Sequence, residues 1–213
     1  MGPAHGNTRR VGFLDKLIHA VRRNSSTADV LLAVQALANR IGSPDLADWA
    51  DCELHGYPDE DRVPAYRGPF TADVHVRLHG QPDRMPSLPR RAFAAELRNS
   101  KLMRLYDVTV VEAVTDLEQL SGQALVRSWG AVHIDLLNQL IDIGGLAIAP
   151  GDTVAAAENR LAGSLVRAIV NAVRSRALGL ALTLERVAPD AGDHDGPSEP
   201  TPAMRDVIAK TVG

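Results

Sequence analysis

The sequence predicts an α+β fold: a helix-dominated single domain with a small antiparallel sheet and a disordered acidic C-terminal linker. Three patterns lead to this prediction. Apolar residues recur at helical spacing over residues 11–54, apolar and polar residues alternate from Phe70 to His79, and residues 190–202 are rich in proline, glycine and carboxylates. Of the 213 residues, 45% are hydrophobic and 23% are charged, which is typical of a folded globular chain.

The chain divides into three predicted segments. Residues 1–10 are expected to form a disordered tail, residues 11–188 the folded domain, and residues 189–213 an acidic linker that ends in a short helix. Three apolar residues mark that helix: Met204, Val207 and Ile208.

Three helices are predicted at the start of the domain. The first covers residues 11–23. The second follows the capping candidates at 25–27 and ends at Gly42, and the third starts at Ser43-Pro44 and ends at Gly56. Serine and threonine accept hydrogen bonds from the first backbone N–H groups of a helix, and glycine tolerates the left-handed conformation that follows a last turn.

The alternation between Phe70 and His79 predicts a half-buried strand, and its polar outer face favours an antiparallel sheet. The remaining predictions are a short helix near 91–98, a strand over 108–114, a helix at the capping box that starts at Thr115, a helix over 132–143 and one long helix over 154–187.

Several function classes are excluded by residue type. A single cysteine excludes a disulfide framework and a cysteine-based zinc site, and no lysine follows the glycine-rich loop that a P-loop nucleotide site requires. On a strand, His75 and His79 are about 13 Å apart, too far to share one ion. We therefore expect no metal and no cofactor.

The charge and the hydropathy pattern bear on partners and location. A net charge of −3 provides no global field that attracts nucleic acid, so nucleic acid is not an expected partner. No stretch reaches about 18 uninterrupted apolar residues, which favours a cytoplasmic chain. The basic amphipathic segment from Arg9 to Arg23 could lie on an anionic membrane, but the favoured interpretation is a helix that docks its apolar stripe on the core.

The most distinctive residue pattern begins near the end of the third predicted helix. Trp49 and Glu53 are one turn apart, so a carboxylate is expected beside an indole on the buried face. Burial of a carboxylate is costly unless it is paired, and Arg67 is the nearest guanidinium that a returning loop could bring to it. The favoured interpretation is a lock between helix and loop, and the alternative is a recognition or catalytic carboxylate in a polar pocket. The motif comprises Trp49, Glu53, Gly56, Tyr57, Pro58, Pro64, Tyr66 and Arg67.

This motif carries a resemblance. The pattern Trp49-x-x-x-Glu53-Leu54-x-Gly56-Tyr57-Pro58, followed by Pro64-x-Tyr66-Arg67, resembles the AbiTii domain, named from a phage abortive-infection protein. The resemblance covers about residues 11–188. It implies an antiphage role in bacteria and brings no catalytic assignment to any residue of this chain.

We expect a non-enzymatic interaction, sensing or assembly domain, with a protein partner or self-association. Two alternatives stay open. One is a toxic effector enzyme, such as a nuclease or transferase, centred on Glu53 and Arg67; the other is a membrane-surface protein that uses the basic first helix.

Overall fold

The structure, a computed structural model, describes residues 12–23, 25–81, 83–120, 122–149 and 151–213. Helices predominate over strands within these residues, and all strand pairs are antiparallel, so the predicted α+β class is confirmed. In chain order the elements are α1 (Phe13–Arg22), α2 (Thr27–Arg40), α3 (Pro44–His55), β1 (Phe70–Thr71), β2 (Asp73–Leu78), β3 (Asp107–Val108), α4 (Val114–Gln119), β4 (Leu125–Ser128), α5 (Ala131–Asp142), β5 (Val154–Leu161), α6 (Gly163–Val187) and α7 (Pro202–Val212).

The described chain folds into two compact units. The first comprises the described residues up to Pro58 together with Glu112–Thr115 and Val170–Gly213. The second comprises Asp59–Val111 and Asp116–Ile169. The domain boundaries predicted at residues 10 and 188 stay predictions.

The first unit begins with helices whose ends follow the capping rules. The Ser26 side chain accepts a hydrogen bond from the Asp29 backbone N–H at 3.1 Å, and Pro44 occupies the first turn of α3. Gly42 has a φ of +61°, and a Cβ atom there would lie 2.7 Å from the backbone oxygen of Ser198. The predicted ends of α2 and α3 are therefore confirmed, and the capping serine of α2, the proline and the glycine act as the sequence predicts.

Two arginines of α6 hold the C-terminal ends of other helices in this unit. The Arg174 guanidinium donates to the backbone oxygens of Val21, at 3.2 Å, and Ser25, at 2.6 Å. The Arg176 guanidinium donates to the Thr211 backbone oxygen at 2.6 Å. The last carbonyl groups of a helix lack partners within the helix and carry partial negative charge, so a guanidinium stabilises them.

The acidic C-terminal segment is folded, and its predicted disorder is wrong. Ala191 is fully buried, the Gly192 oxygen accepts a hydrogen bond from Arg40 at 2.5 Å, and the Asp193 carboxylate accepts one from the Phe13 backbone N–H at 2.7 Å. The first N–H groups of a helix lack partners and favour negative charge, so an acid that resembles a solvated linker residue stabilises the start of α1. The predicted short helix is confirmed as α7, which buries Met204, Val207 and Ile208.

A three-stranded antiparallel sheet with the strand order β2-β5-β4 forms the centre of the second unit. Val76 pairs with Ala157, and Arg127 pairs with Asn159. One face of the sheet packs with α5 around a core in which Phe93, Tyr106 and other large side chains are buried. The predicted alternation in β2 is confirmed, because Val74 and Val76 are buried while Asp73 and Arg77 are exposed.

The central strand β5 corrects the sequence prediction of one helix over 154–187. Residues Val154–Leu161 form a strand, and α6 begins at Gly163. The run Ala155–Ala157 favours a helix by intrinsic propensity, but pairing on both sides and burial of alternate side chains from Ala157 to Leu161 override that preference.

Three smaller differences concern short elements. The helix expected near 91–98 is replaced by two 3₁₀ turns, Arg90–Ala92 and Ala95–Leu97. The strand expected over 108–114 is only Asp107–Val108, and β4 had no counterpart in the sequence prediction. Among the described residues, no helix has the length and apolar character needed to cross a membrane.

Packing of the acidic segment can be tested with two glycine substitutions. Gly192 and Gly80 have similar φ angles, +81° and +77°, but a Cβ atom at Gly192 would lie 2.7 Å from Leu37 Cδ1, whereas one at Gly80 would meet nothing within 4 Å. Gly80→Ala therefore reports the conformational cost alone, about 1–2 kcal/mol. Gly192→Ala is expected to cost about 1–3 kcal/mol more because of overpacking. Urea unfolding measures both; equal losses would contradict the packed segment.

Candidate functional site

The motif residues of α3 form a buried polar group within the first unit. Glu53 is 0% exposed, and Trp49 and Tyr57 are 4% and 8% exposed. The Tyr57 hydroxyl donates a hydrogen bond of 2.7 Å to Glu53 Oε1. The carboxylate thus lies on the buried face of the helix, as the one-turn spacing from Trp49 predicts.

Gly56 determines how Tyr57 reaches that carboxylate. The residue has a φ of +93° and ends α3, with its N–H donating to the Cys52 oxygen at 2.8 Å. Side-chain-bearing residues rarely adopt this φ, so a glycine is needed where the chain leaves the helix. The turn returns the next residue, Tyr57, to the side of the helix where Glu53 lies.

The second charged residue of the motif, Arg67, is buried in the second unit. It ends the 3₁₀ turn Ala65–Arg67 and is 0% exposed. Its guanidinium donates to the Val110 oxygen at 3.1 Å, and the Val110 N–H donates to the Arg67 oxygen at 2.8 Å. Gly68 follows with a φ of +126°, where a Cβ atom would lie 2.8 Å from the Val108 oxygen. Arg67 and Gly68 therefore fix the loop against the segment after β3.

The other motif residues differ in exposure. Pro58 is exposed, whereas Pro64, Tyr66 and Gly56 are half-buried. Within the loop, the Asp59 carboxylate accepts a hydrogen bond from the Arg62 N–H at 3.0 Å and so starts the 3₁₀ turn Glu60–Arg62. Local hydrogen bonds thus hold this part of the loop.

The buried charges of the motif are satisfied. No buried side-chain nitrogen or oxygen atom of the described residues lacks a hydrogen-bond partner. A buried charge that is fully hydrogen-bonded contributes to a unique packing arrangement and is not free to bind a ligand. The pairing of Glu53 with Arg67 stays a prediction, as does the lock between helix and loop.

A second buried tyrosine, which the sequence analysis missed, lies in the second unit. The Tyr106 hydroxyl donates to the Leu88 oxygen at 2.6 Å, and the Arg90 guanidinium lies 5.1 Å from the centre of its ring. Burial raises the pKa of Tyr106 to about 12, although the charge of Arg90 acts in the opposite direction. This phenol is a hydrogen-bond donor and not a base at neutral pH.

An asparagine on β5 makes another polar link that the sequence analysis did not find. Asn159 is buried, accepts a hydrogen bond from Trp129 Nε1 at 2.9 Å and donates to the Leu105 oxygen at 3.0 Å. These bonds join the central strand to the segment before β3 and to the residue after β4. Asn159 occupies one of the alternating buried positions of β5, and this pattern could have identified it. The pattern was missed because residues 154–187 were predicted to form one helix.

The two buried tyrosines form a matched pair for mutagenesis. Tyr57→Phe removes a hydrogen bond to a carboxylate and is expected to lower the free energy of unfolding by about 1.5–3 kcal/mol. Tyr106→Phe removes one to a backbone carbonyl, which typically costs about 0.5–1.5 kcal/mol. Denaturant unfolding of both variants measures the difference. A smaller loss for Tyr57→Phe than for Tyr106→Phe would show that the Glu53 carboxylate does not depend on Tyr57.

The raised pKa of Tyr106 predicts a loss of stability in alkaline solution. The folded state keeps the phenol proton up to about pH 12, whereas an unfolded tyrosine releases it near its ordinary pKa of 10.0. The unfolded state therefore gains stability as the pH rises from 10 to 12, and the free energy of unfolding falls by up to about 1.4 kcal/mol per pH unit from this group. Tyr106→Phe should flatten this part of the profile, and unchanged curvature in that variant would contradict the assignment.

The comparisons with known proteins place this arrangement in a family. The family model described as AbiTii matches residues 14–208, which is nearly the whole chain and includes every motif residue from Trp49 to Arg67. No curated protein and no solved structure matches the chain. The family suggests abortive infection, a form of antiphage defence. The match over nearly the whole length shows that the chain belongs to the AbiTii family.

Proposed function

We propose that this chain acts in phage defence as a non-enzymatic interaction, sensing or assembly module of the cytoplasm. The observation that carries the proposal is the complete burial of Glu53 and Arg67, the two charged residues of the motif. Both side chains stabilise the fold in this proposal, and partner recognition is assigned to exposed residues.

The burial of these residues weighs against the toxic-enzyme alternative. A general acid, a base or a nucleophile has to come within hydrogen-bonding distance of its substrate. The side chains of Glu53 and Arg67 are each 0% exposed, and Glu53 already accepts a hydrogen bond from Tyr57. A reaction centred on this pair would require the fold to open.

The arrangement of α1 weighs against the membrane alternative. Leu14 and Leu17, the central residues of its apolar stripe, are each 1% exposed, and Lys16, Arg22 and Arg23 face solvent. An interfacial helix needs its apolar face free to enter the lipid. Arg9 and Arg10, which contributed to the predicted basic segment, lie outside the described residues.

The exposed part of the motif loop supports a protein partner or self-association. Pro58 and the three acidic residues Asp59, Glu60 and Asp61 are exposed, and the loop they occupy is held by the 3₁₀ turn Glu60–Arg62. An ordered loop presents its side chains to a partner with a smaller loss of conformational entropy than a flexible one. We place the interaction surface at this loop.

Glu53→Gln separates the interaction module from the enzyme. The predicted lock pairs Glu53 with Arg67, so the variant should lose about 3 kcal/mol of stability because the guanidinium would be left without its counter-charge. Protection against phage, measured as efficiency of plating, should persist at a growth temperature where the variant is folded and should disappear at temperatures where it melts.

The control is Glu199→Gln, which makes the same chemical change at an exposed carboxylate of the same unit. It should leave both the melting temperature and protection unchanged. A Glu53→Gln protein that melts at the wild-type temperature and gives no protection would overturn the proposal in favour of catalysis.

A further inference from the structure

A basic surface lies in the second unit between Arg90 and Arg104. Five basic residues occur in this stretch of 15, and Glu96 is its single acidic residue. The net charge of +4 on this stretch contrasts with −3 for the whole chain. We call the exposed residues Arg91, Arg98, Lys101 and Arg104 the basic surface.

The backbone of this stretch is firmly held. It consists of three 3₁₀ segments, Arg90–Ala92, Ala95–Leu97 and Lys101–Tyr106, and the Ala94 N–H donates to the Gly145 oxygen at 2.9 Å. Three large side chains anchor it in the core: Phe93, Met103 and Tyr106. The cations therefore project from a rigid frame, and binding to them does not require the backbone to become ordered.

Among the described residues, the side chains of three of these four cations have no partner. The Arg98 guanidinium donates to the backbone oxygens of Phe93, at 2.9 Å, and Arg91, at 3.2 Å, which brings its positive charge beside Arg91. In the part of the chain that the structure describes, no ion pair or hydrogen bond involves the side chains of Arg91, Lys101 or Arg104. Like charges held close together raise the free energy of the free protein, and an anion that binds among them lowers it.

The spacing of the cations favours a repeating anion. Lys101 and Arg104 are three residues apart on a 3₁₀ helix, so they lie on one side of it, about 6 Å apart along its axis. Guanidinium groups match the geometry of phosphate oxygens, and three of the four cations are arginines. Separate cations such as Lys101 and Arg104 suit consecutive phosphates better than they suit one isolated phosphate.

The exposure of the apolar side chains indicates whether the basic surface suits a nucleic acid or a membrane. The large apolar and aromatic residues between Arg90 and Arg104 are buried or half-buried, and Phe93 and Met103 point into the core. Within this described stretch, no exposed aromatic ring offers a platform for base stacking, and no large apolar side chain is exposed as a wedge for lipid. Contact is thus limited to the phosphate backbone.

We propose that the basic surface binds the sugar-phosphate backbone of nucleic acid and does not recognise its sequence. The overall charge of the chain does not oppose this binding, because salt screens charges beyond about 8–10 Å and the basic surface is locally positive. Arg90 is ion-paired with Asp107 at 3.2 Å and adds no net charge, but the four cations of the basic surface still outnumber Glu96. The inference goes beyond the proposed function and does not depend on Glu53 or on the motif loop.

Fluorescence anisotropy with labelled 20-base-pair duplexes of DNA and of RNA tests the proposal with the full chain. Binding is expected in the micromolar range at 50 mM salt, with equal affinity, within about two-fold, for two unrelated sequences. If four phosphates are neutralised on DNA, the plot of log Kobs against log salt concentration should have a slope of about −3.6.

A pair of triple variants identifies the surface. Arg91→Ala/Lys101→Ala/Arg104→Ala should weaken binding at least ten-fold and make the slope shallower by about three. The matched control, Lys16→Ala/Arg22→Ala/Arg23→Ala, removes the same charge from exposed positions of α1 and from the residue that caps it, and should change affinity less than two-fold. Both proteins should melt within about 2 °C of wild type, since surface substitutions of this kind have small effects.

Three results with the duplexes would overturn the proposal. They are no binding to either duplex at 50 mM salt, an equal loss of affinity in both triple variants, and binding that is insensitive to salt. Binding of the wild type to anionic vesicles through the same three residues, without binding to either duplex, would assign the surface to lipid and would also overturn it.

Discussion

Burial of a carboxylate inside an aliphatic core is the constraint on which the motif region depends. Removing Glu53 from water has a large cost, and hydrogen bonds such as the one from Tyr57 offset it. That requirement explains the neighbouring residues: Gly56 turns the chain so that the hydroxyl can reach the carboxylate, and Trp49 covers the same helix face. The residue pattern around Glu53 is therefore explained by the need to stabilise one buried carboxylate.

Elsewhere in the chain, arginine side chains supply hydrogen bonds to backbone oxygens. The 23 basic residues include only three lysines, and several of the arginines donate to backbone oxygens. Arg174 and Arg176 stabilise the ends of helices, while Arg40 holds the oxygen of Gly192 and lies 4.7 Å from the ring centre of Phe13. A planar group with five donors can serve two carbonyls at once, which an ammonium does less well. The excess of arginine over lysine thus reflects structure as much as surface charge.

The sequence predicted those features that depend on neighbouring residues. The ends of α2 and α3 follow from Ser26, Pro44 and nearby glycines, and the burial of Glu53 follows from its helical spacing to Trp49. These signals act over one turn of helix, so they can be recognised without knowledge of the rest of the fold.

Features that depend on distant residues could not be predicted in the same way. The alanine-rich β5 is a strand only because β2 and β4 pair with its two sides, and Asp193 is ordered only because the start of α1 offers it an N–H group. Tyr106 likewise depends on the oxygen of Leu88. Intrinsic propensity and composition describe a residue's local preference, and these partners override it.

The hydrogen bond between Phe13 and Asp193 has a consequence for biosynthesis. The two residues are 180 positions apart, yet both belong to the first unit. At ribosomal rates of about 5–20 residues per second, the partner of α1 emerges roughly 10–35 s after α1 itself. When Asp193 emerges, the second unit, which ends at Ile169, is already fully synthesised, whereas the opening helices have until then been without the chain that completes their unit. The order of synthesis therefore allows the second unit to fold before the first unit is complete.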